Sequence, residues 1–133
     1  MTTDPIADML TRVRNAIQSN HESVDVPLSL FKVDILEVLK KNELIKDFEL
    51  DRAAKKAKVF LNYFYDGSMK RIPAIRHLKR VSAPSRRVYL KNSDLPGLVK
   101  GLGVSLLSTS RGVMTADQAF SQKLGGEHVC TIW

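Results

Sequence analysis

Asp66-Gly67-Ser68 divides this chain of 133 residues into halves of different charge, and that division limits its architecture more than any other feature. The three residues carry turn chemistry, with glycine between two side chains that hydrogen-bond their own backbone. Residues 1–66 hold ten Lys and Arg against eleven Asp and Glu, a net −1. Residues 67–133 hold eleven against three, a net +8, so the excess of +7 belongs to the second half. A chain of this length builds one compact domain or two small modules sharing an interface. The turn and the charge change together predict an α/β module over 1–66 and a basic module over 67–133.

In the first module, Asp4 and Pro5 present an N-cap and a first-turn proline. Ile6, Met9, Leu10, Val13 and Ile17 then recur at helical spacing, predicting an amphipathic helix over 5–19. Arg12, Arg14 and Asn15 lie off that stripe, as a solvated face or as contacts to a phosphate backbone. Residues 23–26 read as a strand stopped by Pro27. Ser29 caps a second helix over 30–41, with Phe31, Ile35, Val38 and Leu39 on one face. Residues 44–50 and 57–64 read as two further strands. The order α-β-α-β-β lets two helices cover one face of a small sheet.

The second module reads as mainly antiparallel strands with short helices, so the fold class is α+β. Residues 74–81 and 87–90 are expected strands on either side of a turn at 82–85. Ser93 is expected to cap a short helix, with Pro96 in its first turn and Gly101 and Gly103 ending it. Residues 104–107 form an apolar strand leading into a loop, Ser108-Thr109-Ser110-Arg111-Gly112. Thr115 and Gln118 have capping-box spacing for another short helix, ending before Gly125-Gly126. Residues 128–133 close the chain as a strand.

Composition narrows the chemistry. With 44% hydrophobic and 26% charged residues the chain reads as globular, and it has no apolar run long enough to span a membrane. Its beginning lacks the layout of a signal peptide, and Asp4 and Asp8 argue against a transit peptide. The expected setting is cytoplasmic. Cys130, the single cysteine, alternates with His128 and Ile132 and reads as a core residue. His21, His77 and His128 occupy no nucleophile motif and no metal-ligand spacing, so neither catalysis, a metal nor a cofactor is expected.

A polyanion is the expected partner of the basic module. Its cations, including Arg86 and Arg87, cluster around strands instead of forming a tail. Tyr89 stands among them, as a stacking ring or as packing. The hydroxyls of the 108–110 loop, the guanidinium of Arg111 and the glycine backbone suit the shallow minor groove and bulged bases of RNA. No element has the composition of a major-groove reader. Glu127, after two glycines in a basic module, must be solvated, paired or used; a carboxylate can accept a hydrogen bond from a base amino group.

The run from Ser108 to Thr115, then Gly125-Gly126-Glu127 and the ending Cys130-Thr131-Ile132-Trp133, closely resembles the small-subunit ribosomal protein S-eight family. The opening residues 4–12 with Arg14 and Asn15, the 80–89 stretch and Gly101-Leu102-Gly103 resemble it too. The resemblance spans the chain. It implies a structural constituent of the small ribosomal subunit, bound to an irregular helix in the central domain of small-subunit ribosomal RNA early in assembly. It implies that Ser108, Thr109 and Ser110 enter that helix at unpaired adenines, with Gly126, Glu127 and Tyr89 beside them. Arg14, Asn15 and Lys32 follow as backbone contacts from the first module. Neighbouring small-subunit proteins are implied partners, and some bacterial members also bind their own operon messenger RNA. Arg111 stands where the family commonly has lysine, and Glu43 and Ser85 stand where glycine is frequent, which bears on local turn geometry.

Overall fold

The computed structural model describes residues 4–101 and 103–133. Helix α1 (Pro5–Gln18), strand β1 (Ser23–Pro27), helix α2 (Leu30–Lys41) and strands β2 (Ile45–Asp51) and β3 (Lys56–Leu61) follow in the expected α-β-α-β-β order. Each helix starts where its cap predicts. Asp4 Oδ1 accepts from the Ile6 and Ala7 amides, both at 3.1 Å, and Ser29 Oγ accepts from Lys32 N at 3.3 Å. The sheet is antiparallel in the order β1-β3-β2. Alternation sends Val26, Ala57, Val59 and Leu61 inward, onto Met9, Leu10 and Val13 of α1 and Ile35, Leu36 and Leu39 of α2.

The three longest helices, α1, α2 and one at 116–121, close without the glycine that usually marks such a stop. Glu43 N donates to the Lys40 carbonyl and Leu44 N to that of Leu39, a Schellman closure, with Glu43 at φ +60°. Asn20 closes α1 in the same way at φ +57°. The place where the family often carries glycine is therefore a left-handed one, occupied by glutamate. Ser85, the other departure, has no positive φ and fits its turn without strain.

Strands β4 (Tyr63–Tyr65) and β5 (Arg71–Pro73) follow and pair antiparallel across the boundary between the two halves. The charge boundary is thus the tip of a hairpin, where Asp66 Oδ1 accepts from the amides of Ser68 and Lys70. Then come β6 (Leu78–Arg80), β7 (Tyr89–Leu90), a 3-10 turn (Asn92–Asp94), α3 (Leu95–Val99), β8 (Val104–Thr109), β9 (Gly112–Thr115), α4 (Ala116–Ser121) and β10 (Gly126–Ile132). The antiparallel order is β6-β10-β8-β9, and β7 also pairs with β10. Thr115 and Gln118 form the expected capping box, at 3.1 and 3.2 Å. α4 closes on Lys123 at φ +60°, again in Schellman form.

The larger apolar core runs through both units. Met9, Leu36 and Val59 belong to the same cluster as Leu78, Leu106, Val129, Cys130 and Ile132. Burial pushes the Cys130 thiol up to about 12, although Arg80 nearby pulls it down, so Cys130 is the inert core residue its alternation suggests. A smaller cluster, Leu95, Leu107, Met114, Ala116 and Ala119, holds α3 and α4 against the outer face of the second sheet. Polar ties cross between units as well. Arg80 Nε meets Asp4 Oδ2 at 3.0 Å, and Arg14 donates to the Leu78 carbonyl.

Four expectations need correction. Residues 57–64 split at Asn62 into β3 and β4, and residues 74–81 are not one strand. Between β5 and β6 the chain turns so that the Arg76 and His77 amides both donate to the Trp133 carbonyl, at 2.7 and 2.6 Å. Ser93 does not cap α3: it lies inside the 3-10 turn, whose start is tied by the Lys91 amide to Asp94 Oδ2 at 2.9 Å. Residues 108–112 are not a loop leading to a helix. Ser108 and Thr109 end β8, and Gly112 begins β9. Leu102, in the Gly101-Leu102-Gly103 match, lies outside the described residues.

Candidate nucleic-acid interface

The hydroxyl-rich segment is a hairpin tip. Thr109 pairs with Gly112, leaving Ser110 and Arg111 as the turn. Thr109 Oγ1 accepts from the Arg111 amide at 3.1 Å and donates to the Gly112 carbonyl at 2.8 Å, so its hydroxyl is occupied in closing the turn. Gly112 supplies φ +106°, a conformation that side chains resist. Ser110 and Arg111 are exposed, and neither side chain has a partner among the described residues. Of three adjacent hydroxyls, one builds the turn and one, on Ser110, is presented at its tip.

β10 enters between β7 and β8, which needs two residues without side chains. A Cβ on Gly126 would collide with the Ser108 carbonyl, and one on Gly125 would sit 2.5 Å from the Leu90 carbonyl oxygen. Glycine at both positions lets Glu127 face Tyr89 on one side and Ser108 on the other. Directly opposed residues share a sheet face, so Tyr89, Glu127 and Ser108 form one row ending near the hairpin tip. Tyr89 is 70% exposed, too open for packing. Glu127 is paired: Arg87 Nη1 lies 3.1 and 3.2 Å from its two oxygens.

The site residues from the first module behave differently. Lys32 is 4% exposed, with Nζ donating to the Pro27 carbonyl at 3.1 Å, and burial lowers its pKa. It is an internal tie at the start of α2 and does not reach the surface row. Arg14 is turned onto the Leu78 carbonyl, joining α1 to β6. Asn15 is exposed on α1. The structure therefore brings together Ser108, Thr109, Ser110, Arg111, Gly126, Glu127 and Tyr89, with Arg87 added through Glu127. Lys32 and Arg14 are held elsewhere.

Two residues, one in each unit, escaped sequence reasoning. Ser82 is fully buried, and its Oγ accepts from Val88 N at 2.9 Å, fixing the turn that presents Arg86 and Arg87. A buried serine before Ala-Pro-Ser resembles any turn serine, so no local signal marks it. Asp4 carries a second role invisible in its capping motif, the ion pair to Arg80, whose Nη1 also donates to the Val129 carbonyl at 2.7 Å. Among the described residues, Arg80 and Arg87 are the only cations of the basic half that pair with carboxylates. Its remaining cations give the second unit a positive surface.

Fold and surface define an α+β protein with a basic, hydroxyl-tipped sheet edge. The family model described as Ribosomal protein S8 matches residues 4–133, and the chain belongs to that family. It is 46% identical over the full length of both chains to the small ribosomal subunit protein uS8 of Solibacter usitatus (strain Ellin6076). It is 47% identical to the uS8 of Anaeromyxobacter sp. (strain K), covering 98% of each chain, and 47% identical to that of Nitratidesulfovibrio vulgaris (strain DSM 19637 / Miyazaki F), covering all of both.

Proposed function

We propose that this chain is a non-catalytic constituent of the small ribosomal subunit, bound in the cytoplasm to an irregular helix of the central domain of small-subunit ribosomal RNA. The row Tyr89–Glu127–Ser108, continued by the exposed Ser110 at the hairpin tip, carries this reading. It gathers an open aromatic ring, an acceptor and short donors in a unit of net +8, the combination that reads unpaired bases beside a phosphate backbone. Residues 67–133 act as the RNA-binding module. Asn15, exposed on α1, touches the RNA backbone, and the near-neutral first unit faces neighbouring small-subunit proteins. Operon messenger RNA folded into the same irregular shape would occupy the same row.

Two components divide the work. Unpaired Lys and Arg supply salt-dependent affinity. If about 4–6 phosphates are neutralised, log affinity falls against log salt with a slope of about −3 to −5. The hydroxyl tip and Glu127 supply selectivity. Ser110→Ala is expected to cost about 1–3 kcal/mol on the irregular helix and little on a regular duplex, measured by filter binding or anisotropy at fixed salt. Equal losses on both RNAs would remove Ser110 from the selective role.

A further inference from the structure

The outer face of the second sheet is covered by α3 and α4 at its Leu107–Met114 end, and left open where Lys79 and Thr131 pair across β6 and β10. The open part is polar and is backed by two buried polar side chains, Ser105 and His128. Ser105 Oγ lies 3.3 Å from Thr131 Oγ1, which in turn lies 3.1 Å from His128 Nε2. The turn fixed by Ser82 supplies Arg86 and Val88 as one wall. Trp133 supplies another, its backbone tied in both directions to His77 and its ring 5.3 Å from the His77 ring. The result is an open groove of about 570 Å³ lined by Lys79, Arg86, Val88, His128, Thr131 and Trp133, among others.

Its charge is one-sided. No carboxylate side chain lines the groove, and neither Lys79 nor Arg86 has an acidic partner among the described residues. Arg80, which also borders it, is engaged by Asp4. Arg86 and Arg87, adjacent in sequence, divide their work: Arg87 is bound to Glu127, and Arg86 borders the groove. Cross-strand pairing puts Lys79 and Thr131 on the sheet face opposite Tyr89, Glu127 and Ser108. An RNA helix seated on that row and the hairpin tip leaves the groove open.

We propose that this groove takes a second, single-stranded stretch of RNA, with a base against Trp133, hydrogen bonds to Thr131 and phosphates at Lys79 and Arg86. A flat indole, a hydroxyl and two cations in a groove whose lining includes no acidic side chain are what a sequence-tolerant strand-binding groove requires. The proposal rests on the RNA-binding reading above and adds to it a second contact face.

Trp133 is the sole tryptophan of the chain, so its fluorescence reports on the groove directly. The full-length protein is titrated with an oligouridylate of about eight nucleotides at low salt, following tryptophan emission, while anisotropy of a labelled strand reports binding independently. The expected result is saturable quenching, with the midpoint raised at least about fivefold in Lys79→Gln/Arg86→Gln, two exposed substitutions that leave the free protein's emission spectrum unchanged. The salt slope is expected to flatten by about 1.4, the share of two phosphates on a single strand. Ser110→Ala leaves this quenching intact, so failure of the hairpin-tip reading and failure of the groove reading are separable. Binding without quenching, or quenching indifferent to Lys79 and Arg86, overturns the proposal. Quenching by polyglutamate but not by oligouridylate overturns it in favour of an acidic protein partner.

Discussion

Arg87 holds Glu127 through a single guanidinium nitrogen, Nη1, 3.1 Å from one carboxylate oxygen and 3.2 Å from the other. The carboxylate is 13% exposed and stands between Tyr89 and Ser108, in a half of net +8. Without Arg87 it would repel phosphate; with Arg87 it is an oriented acceptor of little net charge. Glu127→Gln and Arg87→Ala are expected to couple. Each weakens binding to the irregular helix by about 1–2 kcal/mol, and the double variant loses less than their sum. The salt slope separates the roles, because loss of a phosphate ligand flattens it by about 0.9. Arg87→Ala should leave it unchanged, whereas Arg111→Ala should flatten it.

Thr109 and Ser110 are neighbours with opposite expected phenotypes. Thr109→Val removes both hydrogen bonds that close the hairpin turn, so it should lower stability by about 1 kcal/mol and weaken RNA binding through a looser tip. Ser110→Ala should leave the melting temperature unchanged and affect only binding. Thermal melts paired with binding isotherms distinguish the two.

Acid stability should show two separate contributions. At Asp4, burial raises the pKa, but hydrogen bonds from Arg80 and the Ala7 and Ile6 amides, with the Arg80 charge, hold it below 3.8 overall. A depressed carboxyl stabilises the fold above the unfolded value and loses that contribution as pH falls through the folded one. The Asp4 contribution is therefore lost below about pH 4. At His128, burial lowers the pKa from 6.5, against a smaller opposing hydrogen bond at Cys130. The unfolded histidine then binds its proton first, so stability declines as pH falls below 6.5. Asp4→Asn retains a capping side chain, so it should remove only the lower step, at a cost of about 1 kcal/mol at neutral pH. Denaturant melts between pH 3 and 8 (roughly the span of both groups) read both steps.

Glu43 occupies a left-handed position that glycine adopts freely. Glu43→Gly should raise stability by about 0.5–1 kcal/mol, because relief of the backbone strain outweighs the added freedom of the unfolded chain. Chemical denaturation with an unchanged m-value is the check. A loss of stability would mean that φ +60° carries no strain here.

Local rules made much of the fold legible. Asp4, Ser29 and the Thr115–Gln118 pair all cap the helices their spacing predicts, since a cap needs only three or four consecutive residues. The hairpin tip was not legible as a hairpin. Ser110-Arg111 is not one of the dipeptides that force a tight strand reversal, and Gly112 comes after the turn. Lys32 and Arg14 look like surface cations by composition. Only the folded chain reveals that the Pro27 and Leu78 carbonyls await them. The row Tyr89–Glu127–Ser108 joins three strands distant in sequence; its sole local trace is the glycine pair before Glu127.

The core that spans both units ties the first half to the row of Tyr89, Glu127 and Ser108. Val59 and Leu36 lie far along the chain from Ser108 and Glu127, yet they belong to the same apolar cluster as Leu106 and Cys130, which lie on the strands that carry those two residues. A cavity opened beneath α2 would therefore be felt at Ser108 and Glu127. Tolerance to substitution in the first 66 residues is then governed less by their own surface than by how firmly they clamp the sheet beneath the proposed row.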